Sequence, residues 1–484
     1  MKSQPTIVRP CGYMEKYSTC RHSLDLYHCV SVTGRYAVPA TRGSDHEGLR
    51  ALLQRAVVQI VLEQPMMRVG IVDEDKQSTS FVHIPRIDLS EHVQWFGPCQ
   101  PDTVDATLSK HLSFHHSQPW PETDRRPPWK VTVIPVHGGE PHSEIEVVYS
   151  FHHAINDGNS GSIFHSRLLQ ALKNPAEELP GLDGKALELP ELPLVPPPQH
   201  ELVNSRISWP FFLWTLWGAF GPCWLKSKPQ VVPWKARPID LSQPKQTNTH
   251  ILRVPAPIAA KLVAAARAHS LTLTPLLHAL IAASVSRQLP ASEAPTFEPC
   301  SPVSLRRCVS STSNFDTKNT MLVLVTSADH PIPSSLIAKL RESTDENDES
   351  AIWAVANCVK TSLNQKLASI PHDDPGAMLK YVSDYHGFFR QKNGEQRSNS
   401  WELSNLGAVD GGDDAGDWRM TRAVFSQSAS AVSPGLSVNV AGIKGGDLTL
   451  TICWNPSAVD TALVNGLAAD LEVWMAKIAG ADEA

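Results

Sequence analysis

The sequence has no basic excess, no paired Cys-x-x-Cys, no His-Glu-x-x-His and no glycine-rich phosphate loop. Each absence removes a class of function. With 43 Lys and Arg against 49 Asp and Glu, the formal net charge is −6, so there is no electrostatic footprint for nucleic acid. Without the two zinc motifs, metal chemistry lacks its usual ligand set. No Walker or dinucleotide glycine pattern is present, so a nucleotide portion of any ligand would have to lie in a channel rather than on a phosphate loop. There is no Gly-x-Ser-x-Gly elbow and no cysteine in a reactive motif, which removes the usual nucleophiles for a covalent acyl-enzyme. The nine cysteines are scattered and odd in number, and Met1 to Pro5 shows no apolar run of the signal-peptide kind; reduced thiols in an intracellular, cytoplasmic protein are expected. Glycine is scarcer than proline, 27 against 39. The prolines cluster at Pro190 to Pro198, which reads as an extended linker.

What is present is a chain of 484 residues, 42% hydrophobic, long enough to bury a large core in two or more domains. Its organising stretch is Tyr149-Ser150-Phe151-His152-His153-Ala154-Ile155-Asn156-Asp157-Gly158. Ahead of it, Ile145, Val147, Tyr149 and Phe151 alternate with Glu144, Glu146 and Ser150, a half-buried strand pattern. Behind it, Ile163, Leu168, Leu169 and Leu172 recur at helical spacing. Two histidines therefore stand where a strand ends, followed by a carboxylate and a turn. A rigid strand end is a good support for a side chain reaching into a cleft. The same residues also fit a purely structural pair, or a metal site through His153 and Asp157, although no further ligand cluster completes the latter; His111, His115 and His116 read as a polar helix face.

His-His-x-x-x-Asp-Gly resembles the signature of the acyltransferase superfamily that includes chloramphenicol acetyltransferase, the plant BAHD acyltransferases and peptide-synthetase condensation domains. Two further stretches narrow the resemblance to the fungal alcohol O-acetyltransferase family. One is the opening Arg9-Pro10-Cys11-Gly12-Tyr13-Met14-Glu15 with Arg21-His22-Ser23-Leu24-Asp25-Leu26-Tyr27; the other is Ser404-Asn405-Leu406-Gly407. The plant branch's Asp-Phe-Gly-Trp-Gly has no counterpart, and Gly411-Gly412-Asp413-Asp414 is no substitute. The resemblance implies an α/β (α+β) fold of two chloramphenicol-acetyltransferase-like subdomains with mixed sheets around a central channel. Residues 1–200 and 246–484 would form the subdomains, joined by a crossover at 201–245.

The resemblance also implies acyl-CoA-dependent O-acylation, with acetyl-CoA as co-substrate, no metal, and a hydrophobic small-molecule alcohol as acceptor. An attacking alcohol must lose its proton as it attacks, and a histidine titrating near neutrality suits that role. By the motif match His153 is the base, His152 supports the turn, and Gly158 permits close approach of substrate. Asp157 is expected to point away and pair with Arg306, with Arg307 as the alternative. Ser437, Asn439, Gln427, Ser428, Ser404 and Asn405 are candidate oxyanion or substrate contacts. The same base would serve an amine acceptor or a carrier-protein thioester, and a catalytically silent binding protein on this scaffold is the rival from outside enzymes. A monomer is expected.

Elsewhere, Ser44-Asp45-His46-Glu47 has the form of a capping box ahead of an apolar stripe from Leu49 to Val61. Thr274-Pro275 predicts a helix start running to Arg287, Met378 to Phe389 reads as helical, and Pro302 to Arg307 as strand-like. Val424 to Ser430, Leu436 to Val440 and Leu448 to Trp454 read as strands, the last two joined by a turn at Gly442 to Asp447. Residues 208–225 hold seven Trp and Phe, flanked by Arg206, Lys226 and Lys228. Pro210, Gly218, Gly221 and Pro222 interrupt that run, so the readings are a crossover packed on the two halves, a lid over an apolar pocket, or a peripheral contact with a membrane or lipid droplet.

Overall fold

The computed structural model describes residues 5–40, 45–137, 144–221, 231–309, 315–342, 349–412 and 417–480. The strand Glu144–Phe151 is central to the first half. It pairs antiparallel with Val30–Ala37 on one side and Trp129–Val136 on the other. Val93–Trp95 extends this five-stranded sheet beyond Trp129–Val136, and Arg419–Gln427 closes its other edge. The helices His46–Glu63 and Gly158–Lys173 bury their apolar stripes in the same core as Val147, Tyr149 and Phe151.

The half-buried pattern expected for Glu144–Phe151 understates its position: from Ile145 on, both faces are buried. The alternation arises because Glu146, with no exposure, is neutralised by Arg35, whose Nη2 lies 2.6 Å away. A paired charge is one of the few polar groups a core accepts.

The second half is a six-stranded mixed sheet in the order Asn248–Val254, Leu448–Trp454, Leu436–Ile443, Glu402–Val409, Cys300–Ser304, Val325–Asp329. Leu436, Val438 and Val440 face a core built around the helix Leu273–Gln288, buried from Pro275 to Ser286. Arg419–Gln427 belongs by sequence to 246–484 yet completes the sheet of the first half, pairing with Val30–Ala37. The chain therefore crosses between the halves a second time, well after 201–245.

Several local expectations shift. Asp45, not Ser44, caps His46–Glu63, accepting from Gly48 N at 2.8 Å; Ser44 lies outside the described residues. The later helix is capped at Thr272 rather than Thr274. Residues 378–389 divide into a 3-10 turn, Pro375–Tyr381, and a short helix, Tyr385–Arg390. Pro302 to Ser304 finish a strand, but Arg306–Cys308 is a 3-10 turn, which aims Arg306 inward. His111 and His116 are buried rather than on a polar face, and His116 is held by Cys29 Sγ at 3.0 Å and Ser426 Oγ at 2.8 Å. The aromatic run forms the helix Trp209–Phe220; Trp224 lies outside the described residues.

Candidate active site

The histidine motif sits at the junction of Glu144–Phe151 and the helix Gly158–Lys173. Asp157 is the N-cap of that helix. Its Oδ1 accepts from Ser160 N and Ser160 Oγ, both at 2.8 Å, and from Arg306 Nη2 at 3.0 Å; Oδ2 accepts from Leu324 N at 3.1 Å. Arg306 also donates to Thr320 O at 2.9 Å and to Leu322 O at 3.2 Å. Asp157 thus both caps its own helix through Ser160 and joins the motif to the segment 306–324 through Arg306 and Leu324. Arg307 instead donates to Leu367 O and is exposed.

His153 turns its Nδ1 to the carbonyl of Asn156, 3.1 Å away. A carbonyl only accepts, so Nδ1 carries the proton and Nε2 holds the lone pair. His153 lines a cavity of ≈ 550 Å³ between the two halves. Burial, reinforced by the Arg21 cation, pushes its pKa down to about 4. At neutral pH the ring is an uncharged acceptor, the form a general base requires.

His152 faces away from the cavity, into a cluster that the sequence did not signal. Its Nδ1 accepts from Ala154 N at 2.9 Å, and its Nε2 faces Glu74 Oε1 at 3.3 Å. His22 mirrors it: Nε2 accepts from Trp120 N at 2.8 Å, and Nδ1 meets Glu74 Oε2 at 3.0 Å. The three side chains have metal-ligand spacing, but the backbone amides fix the tautomers. Each histidine's outer nitrogen must be the acceptor, so each nitrogen facing Glu74 is an N–H donor with no lone pair for a metal. Burial alone would raise the Glu74 pKa, yet the close approach of His152 and the bond from His22 hold it well below the carboxylate range. Burial pushes the His152 pKa down to about 4.

Gly158 lines the same cavity. A Cβ there would lie 2.7 Å from Leu406 Cδ2 and 3.3 Å from Phe425 Cζ, so the glycine admits those two side chains. Leu406 is aimed there by a bulge. Gly407 has φ +76° and its N–H donates to Asn405 Oδ1 at 2.8 Å, and the pairing with Leu436–Ile443 slips between Asn405 and Ala408.

Ser404, Asn405, Gln427, Ser428 and Ser437 all line the cavity, whereas Asn439 lies behind it, fully buried. Their hydrogen bonds separate them. Gln427 Nε2 donates to Glu402 Oε1 at 2.6 Å and to Asn439 Oδ1 at 2.9 Å. Asn439 Nδ2 is used by Ser437 Oγ and Thr451 O. Ser428 Oγ meets Cys29 N and His116 O. Asn405 Nδ2 donates to Thr274 Oγ1. The donors of Gln427, Asn439 and Ser428 are committed, and one of the two N–H groups of Asn405 Nδ2 is used. Ser437 Oγ accepts from Asn439, which leaves its own proton available to the cavity.

Three further cavity residues stand out. Arg21, 8% exposed, is sandwiched with its Cζ 4.5 Å from the rings of both Tyr17 and Tyr27. Tyr27 donates to Gln427 Oε1 at 2.9 Å, and its ring lies 5.9 Å from that of His153. Burial raises the pKa of Glu402, against the opposing bond from Gln427. In the sequence Arg21 and Tyr27 appeared only as parts of a resemblance, and nothing singled out Glu402.

The cavity continues into a second, of ≈ 440 Å³, that shares Asn159, Ser304 and Leu406 with it. Its polar lining is Ser162, Ser166, Arg167, Lys318, Asn319 and Asp410, beside the apolar Ile163, Ala408 and Val409. The far end of the first part is framed by Met14, Tyr17, Pro375 and Leu379.

Comparison with known proteins gives the chemistry a frame. The alcohol acetyltransferase family model matches residues 103–463. A probable alcohol acetyltransferase, FCK4 of Fusarium pseudograminearum, is 30% identical over 97% of this chain and 95% of its own length. A second, crmB of Aspergillus fumigatus, is 22% identical over 94% of this chain and 96% of its own. Among solved structures, the trichothecene 15-O-acetyltransferase TRI3 of Fusarium sporotrichioides superposes with a TM-score of 0.71 at 13% identity, covering 97% of this chain and 95% of that one. The first condensation domain of the CDA synthetase gives 0.59 at 13% identity, over 98% and 97%. These two establish the fold.

Proposed function

We propose that this chain, which belongs to the alcohol acetyltransferase family and is an acyltransferase, moves an acetyl group from acetyl-CoA to the hydroxyl of a hydrophobic small molecule with His153 as general base. The observation that carries the reading is the bond from His153 Nδ1 to the Asn156 carbonyl, which leaves the lone pair of this cavity-lining ring on Nε2. The acceptor hydroxyl gives its proton to Nε2 as its oxygen attacks the thioester carbonyl. The tetrahedral intermediate then collapses, the C–S bond breaks, and the imidazolium returns the proton to the departing coenzyme A thiolate. One base serves both halves, worth about 10²- to 10⁴-fold. No acyl-enzyme forms.

Ser437 is the preferred oxyanion donor among the sequence candidates, because the donors of Gln427, Asn439 and Ser428 are spent within the wall. Ser404, whose hydroxyl has no hydrogen-bond partner among the described residues and which lies on the same wall, is the second. Acetyl-CoA would enter through the second cavity, where Arg167 and Lys318 suit phosphates, and the acceptor through the end framed by Met14, Tyr17 and Leu379. Asp157 and Arg306 act as positioning residues that lock the motif to the second half. His152, through Glu74 and His22, fixes the turn from behind.

The test is release of free coenzyme A from acetyl-CoA in the presence of a panel of alcohols and amines. Transfer to alcohols by the wild type and not by His153→Ala supports the reading. Acylation confined to amines makes it an N-acyltransferase on the same base, and transfer that is equal in both proteins removes His153 from the chemistry.

A further inference from the structure

The helix Trp209–Phe220 is the least covered apolar element among the described residues. It carries no charged residue, and none of its described positions is buried. Trp209, Leu213, Trp214 and Trp217 are 75%, 59%, 72% and 48% exposed. At helical spacing they share one arc, while Phe211, Phe212, Thr215 and Leu216 fall on the opposite arc and are half-buried. The inner arc has its own partners: Phe212 stacks on Tyr381 with centroids 5.0 Å apart, and Ser208 N donates to Asp373 Oδ1 at 2.7 Å. The helix is therefore held on the body, and the outer arc is presented rather than frayed.

A contiguous exposed face of three tryptophans and a leucine is the kind of patch that marks an interaction surface. Tryptophan favours the layer between water and hydrocarbon, where its ring is sheltered and its N–H stays wet. The helix is too short to cross: its 12 residues span about 18 Å against a core of about 30 Å. Among the described residues no single helix is long and apolar enough to span, and the bent pair Ala256–Ala268 and Leu273–Gln288 that would pass on length and composition includes the buried helix of the second core.

Charge selects the occupant. Between Glu201 and Asp240 the sequence has Arg206, Lys226, Lys228, Lys235 and Arg237 and no acidic residue, in a chain of net charge −6. Lys235 and Arg237 are paired with Glu298 and Asp460, but Arg206 is exposed one turn before the helix. Across the inner contact, Lys380 lies over Tyr381, which is itself 52% exposed. We propose that the outer face of Trp209–Phe220, with Tyr381, Arg206 and Lys380, docks this protein on an anionic lipid bilayer, lying in the interfacial layer without crossing it. The turn Pro375–Tyr381 that seats the helix also lines the cavity with Pro375, Gly376 and Leu379. Docking would therefore bring the acceptor end of the cavity to the membrane, a consequence that rests on the function proposed above; the docking itself does not.

The experiment is flotation of the purified full chain with phosphatidylcholine vesicles, with and without phosphatidylserine, comparing wild type with Trp209→Ser/Trp214→Ser/Trp217→Ser. All three side chains are exposed, so the variant should keep its circular dichroism and melting temperature; Trp214→Ser alone is the fallback if it does not. The expected result is wild-type flotation with phosphatidylserine vesicles, weakened by salt, and at least a tenfold lower bound fraction for the variant. Equal flotation of both proteins, or none by the wild type, overturns the proposal. Equal binding to both kinds of vesicle overturns the preference for anionic lipid. Loss of a wild-type dimer in the variant, by light scattering and without flotation of either protein, assigns the face to a second copy and also overturns it.

Discussion

Arg306 reaches Asp157 across 149 residues of sequence, its Nη2 3.0 Å from the carboxylate Oδ1, and by doing so turns the motif's only acid away from His153. A catalytic dyad of His153 and Asp157 has no geometric support. The His153 imidazole is oriented by a backbone carbonyl two residues after the alanine that follows it, and the acid ties the strand–helix junction to the opposite half.

Removing one member of this pair strands the other. Both are largely buried, with side chains 12% and 5% exposed, and an unpartnered buried charge costs about 3–5 kcal/mol. Arg306→Ala should lower stability by that order in urea or thermal unfolding. Asp157→Ala should do the same and additionally uncap Gly158–Lys173. Arg307→Ala, at an exposed position, should change stability by less than about 0.5 kcal/mol.

The pH dependence has a definite sign. His92, His115, His152, His153, His165 and His330 each have a pKa pushed down by burial to about 4. Unfolded histidines take up protons near 6.5, so between about 6.5 and 4 the unfolded chain binds more protons than the folded one. Stability should therefore rise with pH through that window and fall steeply as pH drops through it. Denaturant midpoints measured across pH 4 to 7 check this, and a flat profile contradicts the buried neutral histidines.

Arg21 acts on the same imidazole. Its cation, close to His153, lowers that pKa. Arg21→Gln should shift the acid limb of kcat/KM upward by up to about one pH unit, and Arg21→Lys should shift it less. A limb unmoved in both variants would mean that Arg21 serves packing on Tyr17 and Tyr27 alone.

Glu74 is expected to be a hydrogen-bond acceptor rather than a metal ligand. Glu74→Gln should cost about 1–3 kcal/mol, since an amide N–H would then oppose a histidine N–H. Dialysis against a chelator should leave both melting temperature and turnover unchanged; a fall in either would restore the metal reading.

The histidine motif, its strand and its helix were legible because a period of two gives way to a period of 3.6 around an Asp-Gly pair. Arg306 was legible only through resemblance, since nothing in Pro302 to Arg307 indicates that a 3-10 turn will point it inward. Glu74 and His22 were not legible: their meeting with His152 depends on three separate segments converging. The placement of Arg419–Gln427 was hidden for a similar reason, because alternation shows that a strand exists but not which sheet will accept it. Gln427 and Asn439 looked like oxyanion donors because their side chains carry N–H groups, and only the structure reveals that Glu402, Ser437 and Thr451 already use them.

The central claim is that His153 takes the proton from the acceptor. The direct measurement is acetyl transfer from acetyl-CoA, by coenzyme A release, in wild type and His153→Ala proteins shown to unfold at the same denaturant midpoint. The account predicts a loss of at least about 10²-fold in kcat with little change in KM for acetyl-CoA. Equal kcat in two equally stable proteins would contradict it.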